Sequence, residues 1–254
     1  MLISSMSYAS DSLIVASTTS TDNSGFYQYI LPIFEKKTGI KVKIIAQGTG
    51  QAIETARRGD ADILFVHHKP SELKFIANGF GIKRYPVMYN DFIIIGPKND
   101  PADLKHSNTI EMAFQNIART KQEFISRGDD SGTNKKELRL WANANITPQG
   151  KWYIQSGSGM GATLNMVSAS NAYTISDRST WLSFNNKGDL GIVFEGSKKL
   201  FNQYSIISVN PKKHPHIKMK KGQAFIDWFI SAEGQKHIMN FKIKGQQAFF
   251  PDAR

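Results

Sequence analysis

The sequence contains no cysteine and no long apolar run. Without a thiol the chain can form no disulfide and no thiolate metal site, and it offers no cysteine to carry a lipid anchor. A transmembrane helix needs roughly 18 or more consecutive apolar residues. No such run occurs in the sequence. These absences predict a soluble globular protein.

Motifs of catalysis are missing as well. There is no nucleophile elbow and no His-Glu-x-x-His motif, and the glycine-rich stretch at residues 157–161 lacks the Lys-Ser/Thr of a P-loop. The histidines His67-His68 and His214-Pro-His216 form two pairs without a third ligand at a convincing spacing. We therefore expect neither an enzyme, nor a cofactor, nor a site for a metal cation.

Acidic side chains are scarce relative to basic ones. The 21 Asp and Glu residues stand against 32 Lys and Arg residues, which gives a formal net charge of +11. Such a charge makes a basic nucleic-acid-binding protein an alternative function. The basic residues are dispersed, as on a solvated surface, and no nucleic-acid-binding motif accompanies them. We therefore expect no nucleic-acid partner, and a positive field that steers a small anion towards the protein.

The first residues need a separate interpretation. Residues 1–9 lack the basic start of a secretory signal, yet the Ser-Tyr-Ala triplet at residues 7–9 fits a small-x-small cleavage site. We interpret residues 1–9 as the remnant of a signal peptide. A plain disordered start is the alternative.

Strand-like and helix-like segments alternate along the chain, which is typical of an α/β protein. A strand at residues 13–16 precedes a hydroxyl-rich turn and a helix that Gly39 is expected to end. Further strands are predicted at residues 41–45 and 63–66, and after Pro97 the pattern restarts. The restart indicates two lobes.

We predict that each lobe is a mainly parallel sheet flanked by helices, with a ligand cleft between the lobes. Lobe 1 is expected to comprise residues 10–91 and 206–254, and lobe 2, residues 92–205, to be inserted into it. Ligands of α/β folds usually bind at the carboxyl ends of the strands, in such a cleft.

The most specific signal for a site is the turn Arg-Gly-Asp-Asp-Ser-Gly-Thr at residues 127–133. It lies between a short apolar run and a predicted helix, and so places the Arg127 guanidinium and the Ser131 and Thr133 hydroxyls at a helix N-terminus. Free N–H groups, the positive end of a helix dipole and an arginine together favour an anion. The turn therefore predicts an anion-binding site.

Other turns that follow predicted strands carry small donors. A hydroxyl run at residues 18–21 follows the first strand, Thr49 lies between two glycines after the second, and Gly159-Met-Gly161 opens a helix of lobe 2. Short hydroxyls and backbone N–H groups suit a compact tetrahedral dianion held dry between lobes, because a buried charge is tolerated only within a dense donor shell.

Many ordered blocks of the chain resemble one family. They run from about residue 13 to residue 252 and include Thr18-Thr-Ser-Thr21, Gly48-Thr-Gly-Gln51, Arg58-Gly-Asp-Ala-Asp62, residues 127–133, Gly159-Met-Gly-Ala-Thr-Leu-Asn165 and His214-Pro-His216. The chain resembles the periplasmic tungstate-binding components of ABC transporters, which have the type II solute-binding-protein fold.

The resemblance implies capture of tungstate by lobe closure and delivery to the transmembrane permease of an ABC transporter. It implies a soluble periplasmic protein, and we expect a monomer. Molybdate is almost identical to tungstate in size and charge and stays open as a ligand. On the matching positions the implied oxyanion contacts are Thr18, Ser20, Thr49, Arg127 and Thr133, with Ser131 and the backbone of Met160 and Gly161 as further candidates.

A phosphate receptor of the same fold is the nearest alternative, since Arg-x-Asp-x-Ser-Gly-Thr also resembles the turn of phosphate-binding proteins. Phosphate is partly protonated near neutral pH, so its receptors place a carboxylate to accept that proton, and such a carboxylate would repel tungstate. His67 stands where the phosphate family carries that carboxylate, which disfavours phosphate. Asp129 and Asp130 stay open as acceptors, although Asp129 is equally suited to cap the helix or orient Arg127.

Overall fold

The structure is a computed structural model and describes residues 12–253. The expected signal remnant at residues 1–9 lies outside the described residues. In the first part of the chain the elements are β1 Leu13–Thr18, α1 Thr19–Asn23, α2 Phe26–Thr38, β2 Val42–Gln47, α3 Thr49–Arg58, β3 Ile63–Val66, α4 Lys69–Ala77 and β4 Gly81–Pro97.

The second part of the chain builds the other lobe and then returns. Its elements are α5 Ile110–Thr120, β5 Phe124–Ser126, α6 Gly132–Asn143, β6 Tyr153–Gln155, α7 Met160–Ser170, β7 Thr174–Asp177, α8 Arg178–Ser183, β8 Leu190–Phe194, a 3₁₀ turn Lys198–Leu200, β9 Phe201–Val209, α9 Met219–Ile230, α10 Ala232–Asn240, β10 Lys242–Ile243, β11 Gln246–Gln247 and β12 Phe250–Pro251.

Glycine ends two of the helices in lobe 1. Gly39 follows α2 with a φ of 72°, and Gly59 follows α3 with a φ of 84°. Only glycine adopts this left-handed conformation without strain, so it stops a helix at that position. The predicted end of α2 at Gly39 is confirmed.

Strand β4 belongs to the sheets of both lobes. Its first part pairs with β9 as far as the Asp91–Phe201 pair, and its second part pairs with β7 from the Phe92–Asp177 pair onwards. The first sheet has the order β12-β4-β9-β3-β1-β2, and β7 and β8 both pair with β4. The chain thus passes from one lobe to the other without leaving the strand.

The two-lobe α/β fold is confirmed, but the expectation of mainly parallel sheets is corrected. Strands β1, β2 and β3 pair in parallel, as do β5 and β6. Strands β4 and β9 pair antiparallel with each other, and their further partners β3, β7, β8 and β12 also run antiparallel to them. The reason is that β4 leads the chain into lobe 2 and β9 leads it back, so these two crossover strands run in opposite directions.

Alternate residues of the central strands pack on opposite faces of each sheet, as the pleat requires. In lobe 1, Ile63 and Phe65 join a core with the rings of α2 and α9, whereas Leu64 and Val66 join a second core with α3. In lobe 2, Phe92 and Ile94 face one core, and Ile93 and Ile95 face the other. Each lobe therefore has helices on both faces of its sheet.

No helix within residues 12–253 combines the length and the apolarity that a membrane crossing requires.

The crossing strand packs tightly against lobe 2 at Gly96. A Cβ atom at Gly96 would lie 2.4 Å from the ring of Tyr173. The ring is held in place because its hydroxyl donates to Asp100 Oδ1 at 2.9 Å and accepts from the Ala102 amide at 2.9 Å. The residue opposite Gly96 on β8 is Gly191, where a Cβ atom would lie 3.4 Å from the nearest neighbour, the flexible chain of Lys98.

We predict that Gly96→Ala lowers the free energy of unfolding by about 1–3 kcal/mol, because overpacking forces the ring or the strand to shift. Gly191→Ala is the matched control, since it makes the same chemical change in the paired residue without the clash. Chemical denaturation of both variants measures the difference. Equal stabilities for the two variants would contradict the assignment of Gly96 as a tight contact.

Candidate functional site

The turn between β5 and α6 holds Arg127 in a fixed position. Its Nε and Nη2 atoms both donate to Asp129 Oδ2, at 3.1 and 2.5 Å. Asp129 Oδ1 accepts from the Ser131 amide at 3.2 Å. Within residues 12–253, Nη1 of Arg127 has no protein partner, and the side chain is only 11% exposed. The Nε and Nη2 edge of the guanidinium is therefore held by Asp129, whereas Nη1 is free to bind a ligand.

Asp129 is ionised in this arrangement. Burial raises its pKa, but the hydrogen bond from Ser131 and the charge of Arg127 lower it by more, so the pKa lies below its ordinary value. Of the three roles considered for Asp129, which are proton acceptor, helix cap and orientation of Arg127, these contacts describe the orientation of Arg127. Asp130, in the same turn, pairs with Lys135 at 3.0 Å, and its side chain is 84% exposed.

A buried carboxylate supports the turn from below. Glu137 of α6 accepts hydrogen bonds from the Ser126 hydroxyl, from Trp141 Nε1 at 2.9 Å and from the Tyr153 hydroxyl at 2.8 Å. Ser126 Oγ in turn accepts a hydrogen bond at 3.2 Å from the amide of Gly128, the residue that follows Arg127. Burial raises the pKa of Glu137, and the hydrogen bonds from Ser126, Tyr153 and Trp141 oppose that effect.

Sequence reasoning missed the role of Glu137. The available signal was its place in α6, where Thr133, Glu137, Leu140 and Trp141 share the buried face at helical spacing. A glutamate within a buried stripe must find donors, because an unsatisfied buried charge costs several kcal/mol. Its donors here hold the turn that carries Arg127.

Hydroxyl groups of lobe 1 gather at the end of β1. Thr18 Oγ1 lies 2.8 Å from Thr21 Oγ1 and 3.2 Å from Ser20 Oγ. Ser20 Oγ also lies 3.4 Å from Nε2 of His67, which follows β3. Because β1 and β3 are parallel neighbours, their carboxyl ends bring these side chains to the same edge of the sheet.

His67 is part of a chain of hydrogen bonds that runs through both crossover strands. Its Nδ1 lies 3.0 Å from Asn202 Oδ1, Asn202 Nδ2 donates to Asn90 Oδ1 at 2.7 Å, and Asn90 Nδ2 donates to Asp177 Oδ1 at 3.4 Å. Since an amide oxygen only accepts, His67 donates from Nδ1 and turns the lone pair of Nε2 towards Ser20.

The imidazole of His67 is neutral. Burial lowers its pKa and the charge of Arg127 lowers it further, while Asp177 and Asn202 act in the opposite direction without reversing the shift. The sequence placed His67 near the site but left its role open. A neutral imidazole therefore stands at the position where phosphate receptors carry a negatively charged carboxylate.

Two cavities flank Arg127. One, of about 400 Å³, is lined by the start of α3 from Gly48 to Gln51, by Asp129, Asp130 and Ser131, and by Thr19. The other, of about 470 Å³, is lined by residues from α1 and the starts of α7 and α8, among them Thr19, Ser20, Gly159, Met160, Gly161, Ala162 and Thr180. Arg127 lines both, so the guanidinium stands between them.

The first turns of three helices open towards these cavities. The residues that precede α3 and α7 are Gly48 and Gly159, which have no side chain to cap the helix. Ser131 precedes α6 and its hydroxyl accepts from the Asn134 amide at 3.2 Å, which occupies one of the first amides. The remaining N–H groups and the positive ends of the helix dipoles make this region electropositive.

Most predicted site residues lie at the cavities, and two lie behind them. Arg127, Ser20, Thr49, Ser131, Met160 and Gly161 line one or both cavities. Thr18 is buried and reaches the site through Ser20, and Thr133 is buried in the first turn of α6. The lobes touch here, since a Cβ atom at Gly132 would lie 3.2 Å from Thr49 Oγ1.

The second histidine pair fastens a helix end. His214 Nε2 donates to the Arg57 carbonyl at 2.9 Å, and His216 Nε2 donates to the Gly59 carbonyl at 2.8 Å. These bonds satisfy carbonyl groups at the end of α3. Across residues 12–253, no three His, Asp or Glu side chains come together as a metal-cation site.

The chain matches the family model of the PBP superfamily domain over residues 7–233. A tungstate-binding protein named TupA from Peptoclostridium acidaminophilum is 49% identical over 251 residues, which is 96% of this chain and 87% of the relative.

Two solved structures have the same fold over nearly their whole length. The tungstate-binding protein TupA from Desulfovibrio alaskensis G20 is 42% identical with a TM-score of 0.85, covering 95% of this chain and 99% of that one. The tungstate ABC transporter structure from Geobacter sulfurreducens is 47% identical with a TM-score of 0.84, covering 91% of this chain and 99% of that one. With a structured cleft around Arg127 and relatives of this similarity over the full fold, the chain belongs to the tungstate-binding-protein family, within the PBP superfamily of solute-binding proteins.

Proposed function

We propose that this protein captures tungstate in the cleft between its lobes and delivers it to the permease of an ABC transporter. The observation that carries the proposal is the Arg127 guanidinium, oriented by Asp129 and free at Nη1, between cavities that three helix N-termini line. The names of the relatives, tungstate-binding proteins from several bacteria, supply the identity of the oxyanion.

The proposed contacts come from both lobes. Lobe 1 supplies the hydroxyls of Ser20 and Thr49, with Thr18 as a further contact, and lobe 2 supplies Arg127 with Thr133. Ser131 and the backbone N–H groups of Met160 and Gly161 complete the proposed shell. A tetrahedral dianion has acceptor atoms on all sides, so donors from both lobes are needed to replace its water. This requirement makes lobe closure part of binding.

Closure requires a defined boundary between the lobes. We place the first crossing between Asp91 and Phe92, where β4 changes partner from β9 to β7. The predicted return at residue 206 falls inside β9. Because β9 pairs with β4 from Phe201 onwards, we place the return at Phe201 instead. Lobe closure then bends β4 and β9 at neighbouring points.

Further parts of the proposal rest on the family. A solute-binding protein that serves a permease works in the periplasm, and one cleft per chain is sufficient, so we propose a monomer. Molybdate has the charge and shape of tungstate and fits the same donors, so it is included as an alternative ligand.

Phosphate fits this site less well than tungstate. A protonated oxyanion needs an acceptor, and two carboxylates line the cavity at Arg127. Asp129 already accepts from Arg127 and Ser131, and Asp130 is paired with Lys135. The lone pair of His67 Nε2 is turned to the Ser20 hydroxyl. The surrounding donors favour an anion that carries no proton near neutral pH.

Replacing Arg127 tests the site directly. We predict that Arg127→Ala weakens tungstate binding about 100-fold or more, because losing a buried charge-assisted contact costs about 2–5 kcal/mol. Arg127→Lys is expected to lie between wild type and Arg127→Ala, since an ammonium keeps the charge but loses the paired geometry with Asp129. Isothermal titration of anion-stripped protein with tungstate, molybdate, sulfate and phosphate measures the affinities.

Arg119→Ala is the matched control for net charge. Arg119 lies exposed on α5, away from both cavities, and its loss is expected to leave the affinity unchanged. If both variants weaken binding equally, with a steep salt dependence, the dispersed positive charge is responsible and the nucleic-acid alternative gains support. A response to phosphate alone would favour the phosphate receptor.

The pH dependence separates the two oxyanion alternatives. The pKa values of His67 and Asp129 are both lowered, so between about pH 6.5 and 8 His67 stays neutral and Asp129 stays ionised. No proton is gained or lost by either group in this window. We therefore expect the dissociation constant for tungstate to change less than about threefold across it.

A phosphate site would behave differently, because phosphate itself exchanges a proton near pH 7. Titrations at four pH values with constant ionic strength make the comparison. A tenfold or larger change in tungstate affinity would show that His67 or another group titrates on binding, contrary to the description of the site.

A further inference from the structure

A third cavity lies beside the crossover strands and shares no lining residue with the two cavities at Arg127. Its volume is about 300 Å³. Three parts of the chain form its walls: the end of β3 with the start of α4, one face of α6, and the crossover strands β4 and β9. The lining residues are His67, His68, Lys69, Pro70, Phe92, Gly132, Lys136, Arg139, Phe201, Asn202 and Gln203.

The walls carry positive charge without a counterion. Lys69 comes from lobe 1, and Lys136 and Arg139 come from lobe 2, where they are three residues apart on α6. No aspartate or glutamate lines the cavity. Among residues 12–253 none of the three cations forms an ion pair, and the Lys136 ammonium has only the Phe201 carbonyl, at 3.5 Å. It also lies 5.7 Å from the centre of the Phe92 ring.

Burial and the nearby cations lower the pKa values of two groups at the cavity, Lys136 and His68. Burial, followed by the charge of Arg139, lowers the pKa of Lys136 to about 8. Burial, followed by the charges of Lys135 and Arg139, lowers the pKa of His68 to about 4, with Asp130 opposing. Both groups are thus held in an environment that resists further positive charge and would be stabilised by a negative one.

We propose that this cavity is a second anion-binding site, for a small polycarboxylate, that forms when the lobes are closed. The class of ligand follows from two features of the cavity, its cations and its apolar wall. The Arg139 guanidinium suits a carboxylate, with which it can form two parallel hydrogen bonds, and the other cations suit a second carboxylate. The rings of Phe92 and Phe201 and the side chain of Pro70 give the cavity an apolar wall for a short carbon skeleton.

The site couples to lobe closure because its cations come from different lobes. In this structure Lys69 of lobe 1 shares the cavity with Lys136 and Arg139 of lobe 2, and like charges repel. A polycarboxylate between them removes that repulsion and binds the closed form more tightly than the open one. By linkage, the same ligand strengthens binding of the anion in the cleft at Arg127, and we expect an increase of about fivefold or more.

The experiment is an isothermal titration of citrate, as the probe polycarboxylate, into wild-type protein saturated with tungstate, at constant ionic strength. We expect one saturable citrate site. The double variant Lys136→Gln/Arg139→Gln is expected to lose at least tenfold in citrate affinity. The control is Lys135→Gln/Arg119→Gln, which removes the same number of charges, one of them from the same helix and already paired with Asp130. It is expected to bind citrate as wild type does.

A local readout places the ligand. Citrate is expected to raise the pKa of the His68 imidazole, followed by NMR and assigned with His68→Asn, in wild type and not in the Lys136→Gln/Arg139→Gln variant. Thermal unfolding and tungstate binding of both double variants check that they are folded.

Several results would overturn the proposal. They are displacement of tungstate by citrate, equal loss of citrate binding in both double variants, and binding of inorganic phosphate as tight as that of citrate. Citrate is also titrated into protein without tungstate. If tungstate fails to bind at all, the comparison of the two double variants in that arm still decides the second site, so that its failure and the failure of the tungstate proposal are distinguishable.

Discussion

The sharing of strand β4 between the lobes is the constraint on which the rest of the structure depends. Because β4 changes partner between Asp91 and Phe92, both lobes are covalently and geometrically tied to one strand. The polar chain from Asp177 through Asn90 and Asn202 to His67 crosses this strand and its neighbour β9. The hydrogen bonds of His67 at the cleft thus run through both strands that join the lobes.

The charged side chains at the cleft are paired or hydrogen-bonded within the protein itself. Glu137 fixes Ser126 from below, and Asp129 fixes Arg127 from the side. An arginine can be held in this way and still bind, because its planar fork carries five donors and only two are used for its own orientation. A lysine has a single ammonium group, so a carboxylate that positions it would compete with the anion for the same charge. The side-chain chemistry of arginine therefore lets a site be rigid and open at once.

Local signals in the sequence predicted local structure well, and long-range pairing escaped them. Gly39 marks a helix end because its conformation depends on its own backbone, and the turn at residues 127–133 is encoded within seven residues. The direction of β4 relative to its partners depends on contacts with residues about 80 to 160 positions away, so the expectation of mainly parallel sheets was wrong. The buried stripe of α6 marks Glu137 as a side chain that needs donors, but two of those donors, Ser126 and Tyr153, lie on other elements that the stripe does not identify.

The net charge of the chain says little about what it binds, because position and pairing decide what a charge can do. Arg127 is held by Asp129 and faces donors from two lobes, which suits one compact dianion. Lys136 and Arg139 have no acidic partner in their cavity and face aromatic rings, which suits a longer anion with a carbon skeleton. Most basic residues, Arg139 among them, are exposed, and an exposed ion pair contributes about 0–1 kcal/mol because solvent screens it. The same kind of side chain is thus placed in three settings: oriented by a carboxylate at the cleft, unpaired beside aromatic rings, and solvated on the surface.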